Sequence, residues 1–123
     1  MSKVLIVDDE EDIVMVLRKR LETKGFEVDF AHESQKGLEK AKQWQPDLII
    51  LDVMMPIMNG YQLCRAIKAD PKTQSIPVLL CTAKGEESDK FWGKECGASD
   101  HIVKPFDNED LLRKIKDLIA QPS

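Results

Sequence analysis

The sequence predicts an α/β fold: a doubly wound, five-stranded parallel sheet with five helices on its two faces. Three observations carry this. Short, near-continuous apolar runs alternate with longer amphipathic stretches along the whole chain, as strands buried on both faces do when helices separate them. The length, 123 residues, suits one domain around one core. No apolar stretch approaches the roughly 20 residues that cross a bilayer.

The first strand is Lys3 to Val7, carried by the run Val4-Leu5-Ile6-Val7. A helix follows from about Asp12 to Lys24, with Ile13, Leu17 and Leu21 at helical spacing and Gly25 as its stop. Glu27 to Ala31 alternates as a second strand. Ser34 is expected to cap a helix running to Gln43, with Leu38 and Ala41 facing inward. Asp47 to Asp52 is the third strand. Asn59-Gly60 opens a helix with Leu63, Cys64 and Ile67 inward, which ends before Asp70-Pro71. Pro77 to Thr82 is the fourth strand, and a helix from about Glu87 to Cys96 ends at Gly97. His101 to Val103 is a short fifth strand. Asp107 or Asn108 then caps a last helix bearing Leu111, Leu112, Ile115, Leu118 and Ile119. Residues 1–120 read as one domain and 121–123 as a loose tail. Because crossovers are right-handed, helices cover both faces only where the strand order reverses.

Composition narrows the function. Hydrophobic residues make up 42% and charged residues 33%, as in a soluble globular protein. Eighteen basic residues against 22 acidic ones leave a net charge of -4, which argues against a general nucleic-acid binder. The start MSKVLIV lacks the apolar region of a signal peptide, so a cytoplasmic location is expected, with no membrane insertion. Cys64, Cys81 and Cys96 are odd in number, lack CxxC spacing and read as reduced thiols, Cys81 as a small core residue.

The chemistry gathers where the strands end. The first strand ends in Asp8-Asp9, the third in Asp52, the fourth in Thr82 and the fifth in Lys104; only the second ends without such a group, at Ala31-His32. In open parallel sheets these carboxyl ends share one edge. Each residue alone has an ordinary reading: Asp8, Asp9, Glu10 or Glu11 as a helix cap, Asp52 as a turn residue, Thr82 as a β-branched strand residue, Lys104 as a solvated lysine. Together they conflict, because like charges 4 Å apart repel by roughly 4 kcal/mol at an effective dielectric near 20. One lysine does not balance three aspartates, and the deficit calls for a divalent cation with oxygen ligands, for which Mg²⁺ is the natural candidate. Asp52 then reads as a nucleophile toward a phosphoryl group, with Lys104 and Thr82 on the phosphoryl oxygens.

These residues sit in VDDEED, LDVMMPIMNG, CTA and GASDHIVKPF. With those signatures the chain resembles, over nearly its whole length, the receiver domain of two-component response regulators, the CheY-like superfamily. The resemblance implies strand order 2-1-3-4-5. It implies Asp52 as the acceptor of a phosphoryl group from a histidine kinase or phosphotransfer protein. Asp9, Asp52 and the backbone carbonyl of Met54 would bind Mg²⁺, and Asp8 would act through a metal-bound water. Thr82 and Lys104 would hold phosphoryl oxygens, and the Lys104-Pro105 bond would be cis. It also implies a signalling switch rather than an enzyme, in a bacterial or archaeal cytoplasm. An output protein would bind the face made by the fourth helix, fifth strand and fifth helix, and the protein would be a monomer or a weak phosphorylation-dependent dimer.

The chain departs from the family at His101, where an aromatic switch residue is usual; it reads either as a polar, titratable switch or as an ordinary half-exposed strand histidine. Met54 and Lys84 stand where the family tunes phosphoryl lifetime, and Met54 offers no polar side chain to position water. Trp92, beside Phe91, is a candidate partner anchor on the output face, and Trp44 a structural cover. A free-standing receiver is expected, with a fragment of a larger regulator or hybrid kinase as the alternative. An aspartate-nucleophile phosphatase is remote, because Met54 stands where a second aspartate is needed. An FMN carrier is remote too, because Asp8 to Asp12 would repel phosphate.

Overall fold

A computed structural model describes residues 2–83 and 95–120. Five strands, β1 (Lys3–Val7), β2 (Glu27–Ala31), β3 (Leu48–Asp52), β4 (Val78–Ala83) and β5 (Asp100–Lys104), form one parallel sheet in the order β2-β1-β3-β4-β5. The described helices are α1 (Glu11–Thr23), α2 (Ser34–Trp44), α3 (Gly60–Ala69) and α4 (Asn108–Ala120). Four helices are therefore described where five were expected. The helix expected from about Glu87 to Cys96 falls mainly on residues 84–94, outside the described residues, as do Lys84, Phe91, Trp92 and the tail 121–123.

The strand order reverses between β1 and β3, and alternate strand residues serve opposite faces. Leu5, Val7, Ile49, Leu51, Val78 and Leu80 pack with Ala41 of α2 and with Leu63, Cys64 and Ile67 of α3. Val4, Ile6, Leu48, Ile50, Leu79 and Cys81 pack with Val14, Leu17 and Leu21 of α1 and with Leu111, Ile115 and Leu118 of α4. Every residue of β3 is buried, and its apolar side chains Leu48 to Leu51 anchor this central strand at roughly 1.5–3 kcal/mol each. Trp44 is partly buried against the first of these clusters, which fits a cover.

Several local expectations shift. α1 starts one residue early, at Glu11, with Glu10 at its cap position and no side-chain cap bond. Val14 rather than Ile13 is the fully buried residue of its first turns, and Ile13 is only partly covered. Ser34 does not cap α2: Glu33 holds that position, and Ser34 is buried in the first turn. Its hydroxyl instead donates to the Met58 carbonyl at 2.6 Å, tying α2 to the loop after β3. β2 does not alternate cleanly, because Asp29 and Phe30 are both half-buried at this sheet edge. Arg18 and Lys40 each lie over the ring of Phe30, at 5.5 and 5.3 Å from its centroid. β5 is longer than expected, and Asp107 caps α4, accepting from the Glu109 amide at 3.2 Å. No described helix is long and apolar enough to cross a membrane.

Candidate functional site

Parallel pairing places the expected residues on one edge. Val7 pairs with Leu51, so Asp8 and Asp52 follow side by side on β1 and β3. Asp52 pairs with Cys81, Thr82 with Val103, and Ala83 with Lys104. Asp8, Asp52 and Thr82 are all buried, at 3, 5 and 4% exposure. Lys104 comes from the end of β5, and its bond to Pro105 is cis.

Lys104 is the ammonium between the two acids. Its Nζ lies 3.3 Å from Asp8 Oδ2 and 3.2 Å from Asp52 Oδ1. Asp8 Oδ1 accepts from the Glu10 amide at 2.9 Å, and Asp52 Oδ1 accepts from the Met54 amide at 3.3 Å. Both of these contacts of the Asp52 side chain fall on Oδ1 rather than Oδ2. The nucleophile candidate thus has one oxygen held and one open.

The electrostatics follow from burial and charge. Burial pushes the Asp8 carboxyl above the usual carboxylate range; the Glu10 amide opposes this, the Asp52 charge adds to it, and Lys104 offsets part of it. Burial alone would lower Lys104, but Asp8 and Asp52 outweigh it and hold the ammonium above its ordinary value. Cys81, beside Asp52 on the ladder, is pushed up to about 12, chiefly by burial, so its thiol is no rival nucleophile near neutral pH.

The loop after β3 is held close. Asn59 caps α3 with a reciprocal pair: its side chain accepts from the Gln62 amide, and the Gln62 side chain accepts from its own amide, both at 2.9 Å. The Gly60 amide donates to Val53 O at 3.0 Å. Only glycine fits there, because a Cβ would stand 2.4 Å from the Asp52 carbonyl oxygen. Between these points Met54 is 65% exposed, and Ile57 is fully exposed with φ +70°.

The structure gathers Asp8, Asp52 and Lys104 by direct contact and sets Thr82 one rung beyond Cys81. Asp9 is exposed and outside the carboxylate group. That group consists of Asp8, Glu10 and Asp52, each with an oxygen within 4.8 Å of the others. Sequence reasoning treated Glu10 only as a helix cap; like Asp9 it is exposed, but one of its oxygens comes near those of Asp8 and Asp52. The donor set is all oxygen and net negative, which suits a hard divalent cation. His101 is a half-exposed residue of β5, with Nδ1 3.9 Å from Asp100 Oδ1. Asp100 is also paired to Lys114 of α4 at 3.0 Å.

The sequence matches the response regulator receiver domain family over residues 4–116. It is 41% identical over 121 residues to the response regulator ArlR of Staphylococcus saprophyticus, covering 98% of this chain and 54% of ArlR. It is 40% identical over 120 residues to the protein PilH of Pseudomonas aeruginosa, covering 98% of this chain and 99% of PilH. The chain thus spans about half of one relative and nearly all of the other. The structure of the Vibrio cholerae chemotaxis protein CheY4 superposes with a TM-score of 0.90 at 35% identity, covering 96% of this chain and 98% of that one.

Proposed function

The chain belongs to the response regulator receiver domain family, and on that premise we propose that it is a phosphorylation switch with Asp52 as its acceptor. The single observation that carries this reading is the Lys104 ammonium set between two buried carboxylates, with one oxygen of Asp52 left open. Asp52 is held at the end of a fully buried strand, so its open oxygen has a fixed line of attack. That oxygen attacks the phosphorus of a phosphohistidine on a histidine kinase or phosphotransfer protein. A P–O bond forms as the P–N bond breaks, and the leaving imidazole takes up a proton. Asp52 needs no base, because its attacking form is already ionised.

Lys104 then exchanges part of its pairing with the acids for the transferred oxygens, and Thr82 donates its hydroxyl to another. Asp8, Asp9, the Asp52 side chain and the Met54 carbonyl would hold Mg²⁺, which when bound supplies charge neutralisation for the phosphoryl oxygens. Phosphorylation adds acceptor oxygens, and each charge-assisted bond to them is worth roughly 1.5–3 kcal/mol. Driving a population from 1:99 to 99:1 takes about 5.5 kcal/mol. The switch is therefore partial on its own and is completed by an output protein that prefers the active form on the β5 and α4 face. The same site serves a free-standing receiver, as the near full-length match to PilH favours, or the receiver of a longer regulator, as the match to half of ArlR favours.

Adding beryllofluoride and Mg²⁺, which mimic the phosphoryl group, tests this. The amide NMR signals of Thr82 and Lys104 should shift in the wild type and stay still in Asp52→Asn. No shift in the wild type, or an equal shift in the variant, overturns the reading.

A further inference from the structure

We propose that Cys64 and Cys96 form a redox site that takes a hydroperoxide as its oxidant and closes to a disulfide. The two residues stand 32 positions apart in the chain, yet the fold brings them together. Cys64, on the inward face of α3, donates from Sγ to the Cys96 carbonyl oxygen at 3.4 Å, and the two thiols are hydrogen-bonded to each other. Both are free thiols. The backbones that carry them are fastened side by side. Gly97 turns the chain with φ +87°, and a Cβ there would stand 3.0 Å from Cγ of Lys68, one helical turn beyond Cys64. Lys68 Nζ is tied to the Gln74 and Ile76 carbonyls at 3.2 and 2.5 Å. The Ser99 amide donates to Val78 O at 2.9 Å, which fixes the turn before β5 to β4. Two thiols in contact between fastened backbones suit a disulfide, whose geometry tolerates little backbone displacement.

The two sulfurs are not equivalent. The hydrogen bond from Cys64 draws the Cys96 thiol down to about 7; burial opposes this, and the Ala98 amide, its own amide and the Arg65 charge add to it. The same hydrogen bond, followed by burial, pushes Cys64 up. Cys96 is therefore the thiolate that attacks, and Cys64 the thiol that resolves. Cys96 keeps 3% exposure and Cys64 none, so bulky disulfide reagents are kept out and a small peroxide meets Cys96 first. Cys96 sulfur attacks one peroxide oxygen, the O–O bond breaks, and the leaving hydroxide takes up the proton that Cys96 released. The Cys64 sulfur then attacks the sulfenic sulfur, an S–S bond forms as the S–O bond breaks, and water leaves with the Cys64 proton. Two thiols are oxidised, and one hydrogen peroxide is reduced to two waters. Cys81 takes no part: it packs on the opposite face of the sheet and is pushed up to about 12 by burial.

Treatment of the purified full chain with hydrogen peroxide, followed by intact mass and non-reducing peptide mapping, tests this. The folded wild type should lose about 2 Da, with Cys64 and Cys96 joined in one chain, and dithiothreitol should restore the starting mass. Cys81→Ser should react as the wild type does. Cys64→Ala should stop at a sulfenic acid on Cys96, which dimedone traps, and Cys96→Ala should form no disulfide. The wild type alone also decides the matter, whether or not the variants fold. A 64–96 disulfide that forms only in urea, linkage only between chains, or oxidation confined to Cys81 or to methionines overturns the proposal. Dimedone labelling of Cys64 instead of Cys96 in the wild type overturns the assignment of the attacking sulfur.

Discussion

Gly60 stands so close to Asp52 that a single added carbon would lie 2.4 Å from the Asp52 carbonyl oxygen and 2.8 Å from Val53 Cα. Two effects oppose each other in Gly60→Ala. Alanine favours a helix over glycine by about 1 kcal/mol. The clash is with backbone, which cannot swing aside, and overpacking of this kind costs about 1–3 kcal/mol. The clash should win, with a lower urea midpoint and slower phosphorylation of Asp52. A variant as stable as the wild type would show that the β3–α3 junction has slack.

Lys104→Met should leave Asp8 and Asp52 facing each other without their ammonium. Losing one partner of a fully buried pair costs roughly 3–5 kcal/mol, but the Lys104 side chain keeps 23% exposure, so a loss of about 2 kcal/mol is expected near neutral pH. Mg²⁺ should restore much of it. Denaturant unfolding with and without the ion measures both effects, and equal unfolding midpoints for variant and wild type without Mg²⁺ would remove the ammonium from the account.

Asp8 gives a pH signature. Its carboxyl is raised in the folded state, chiefly by burial, so the folded protein binds that proton more tightly than the unfolded chain does. The contribution is fully present below the ordinary carboxylate pKa and is lost as pH rises through the raised one. Asp8→Asn removes the titration. Without divalent ions it should melt about 2–5 °C above the wild type at pH 7–8, with the gap closing toward pH 4. Excess Mg²⁺ should shrink or reverse the gap, because the ion stabilises only a site that can hold it. Thermal scans across pH, with and without Mg²⁺, would show a flat difference if Asp8 were not strained.

His101→Phe should change affinity for the output protein more than it changes the phosphorylation rate of Asp52. His101 lies on the edge strand, half-exposed and beside the Asp100–Lys114 pair, and the contact described for it is to Asp100, not to Asp52. Equal partner binding by phosphorylated wild type and variant would sink this.

Much of the architecture was legible because burial on two faces leaves a plain trace. Val4 to Val7 and Leu48 to Leu51 are continuous apolar runs, and both are strands. Asn59-Gly60 marked a helix start whose capping box the structure shows. That Asp52 has a cationic partner was legible, because a carboxylate ending such a run needs one, and Lys104 lies 3.2 Å away. What escaped depended on rotation and reach. Ile13 and Val14 differ by one helical step, and only the actual start of α1 decides which is buried. Ser34 looked like a cap, but its hydroxyl serves a carbonyl 24 residues away. Nothing in Asp8 to Asp12 says which acids converge, because that choice is made by where β1 ends and α1 begins.

The rungs of the sheet carry a further consequence. Asp52 pairs with Cys81, the next residue, Thr82, pairs with Val103, and Ala83 pairs with Lys104. Carboxylate, hydroxyl and ammonium therefore lie on successive strands, stepping outward from the centre. β3 has neighbours on both sides, whereas β5, among the described strands, lies at the edge beside β4. A pull applied at the centre is relieved where the fabric is least fastened, so on the proposed function the margin of the sheet, not its heart, is where chemistry at Asp52 would become a change of shape.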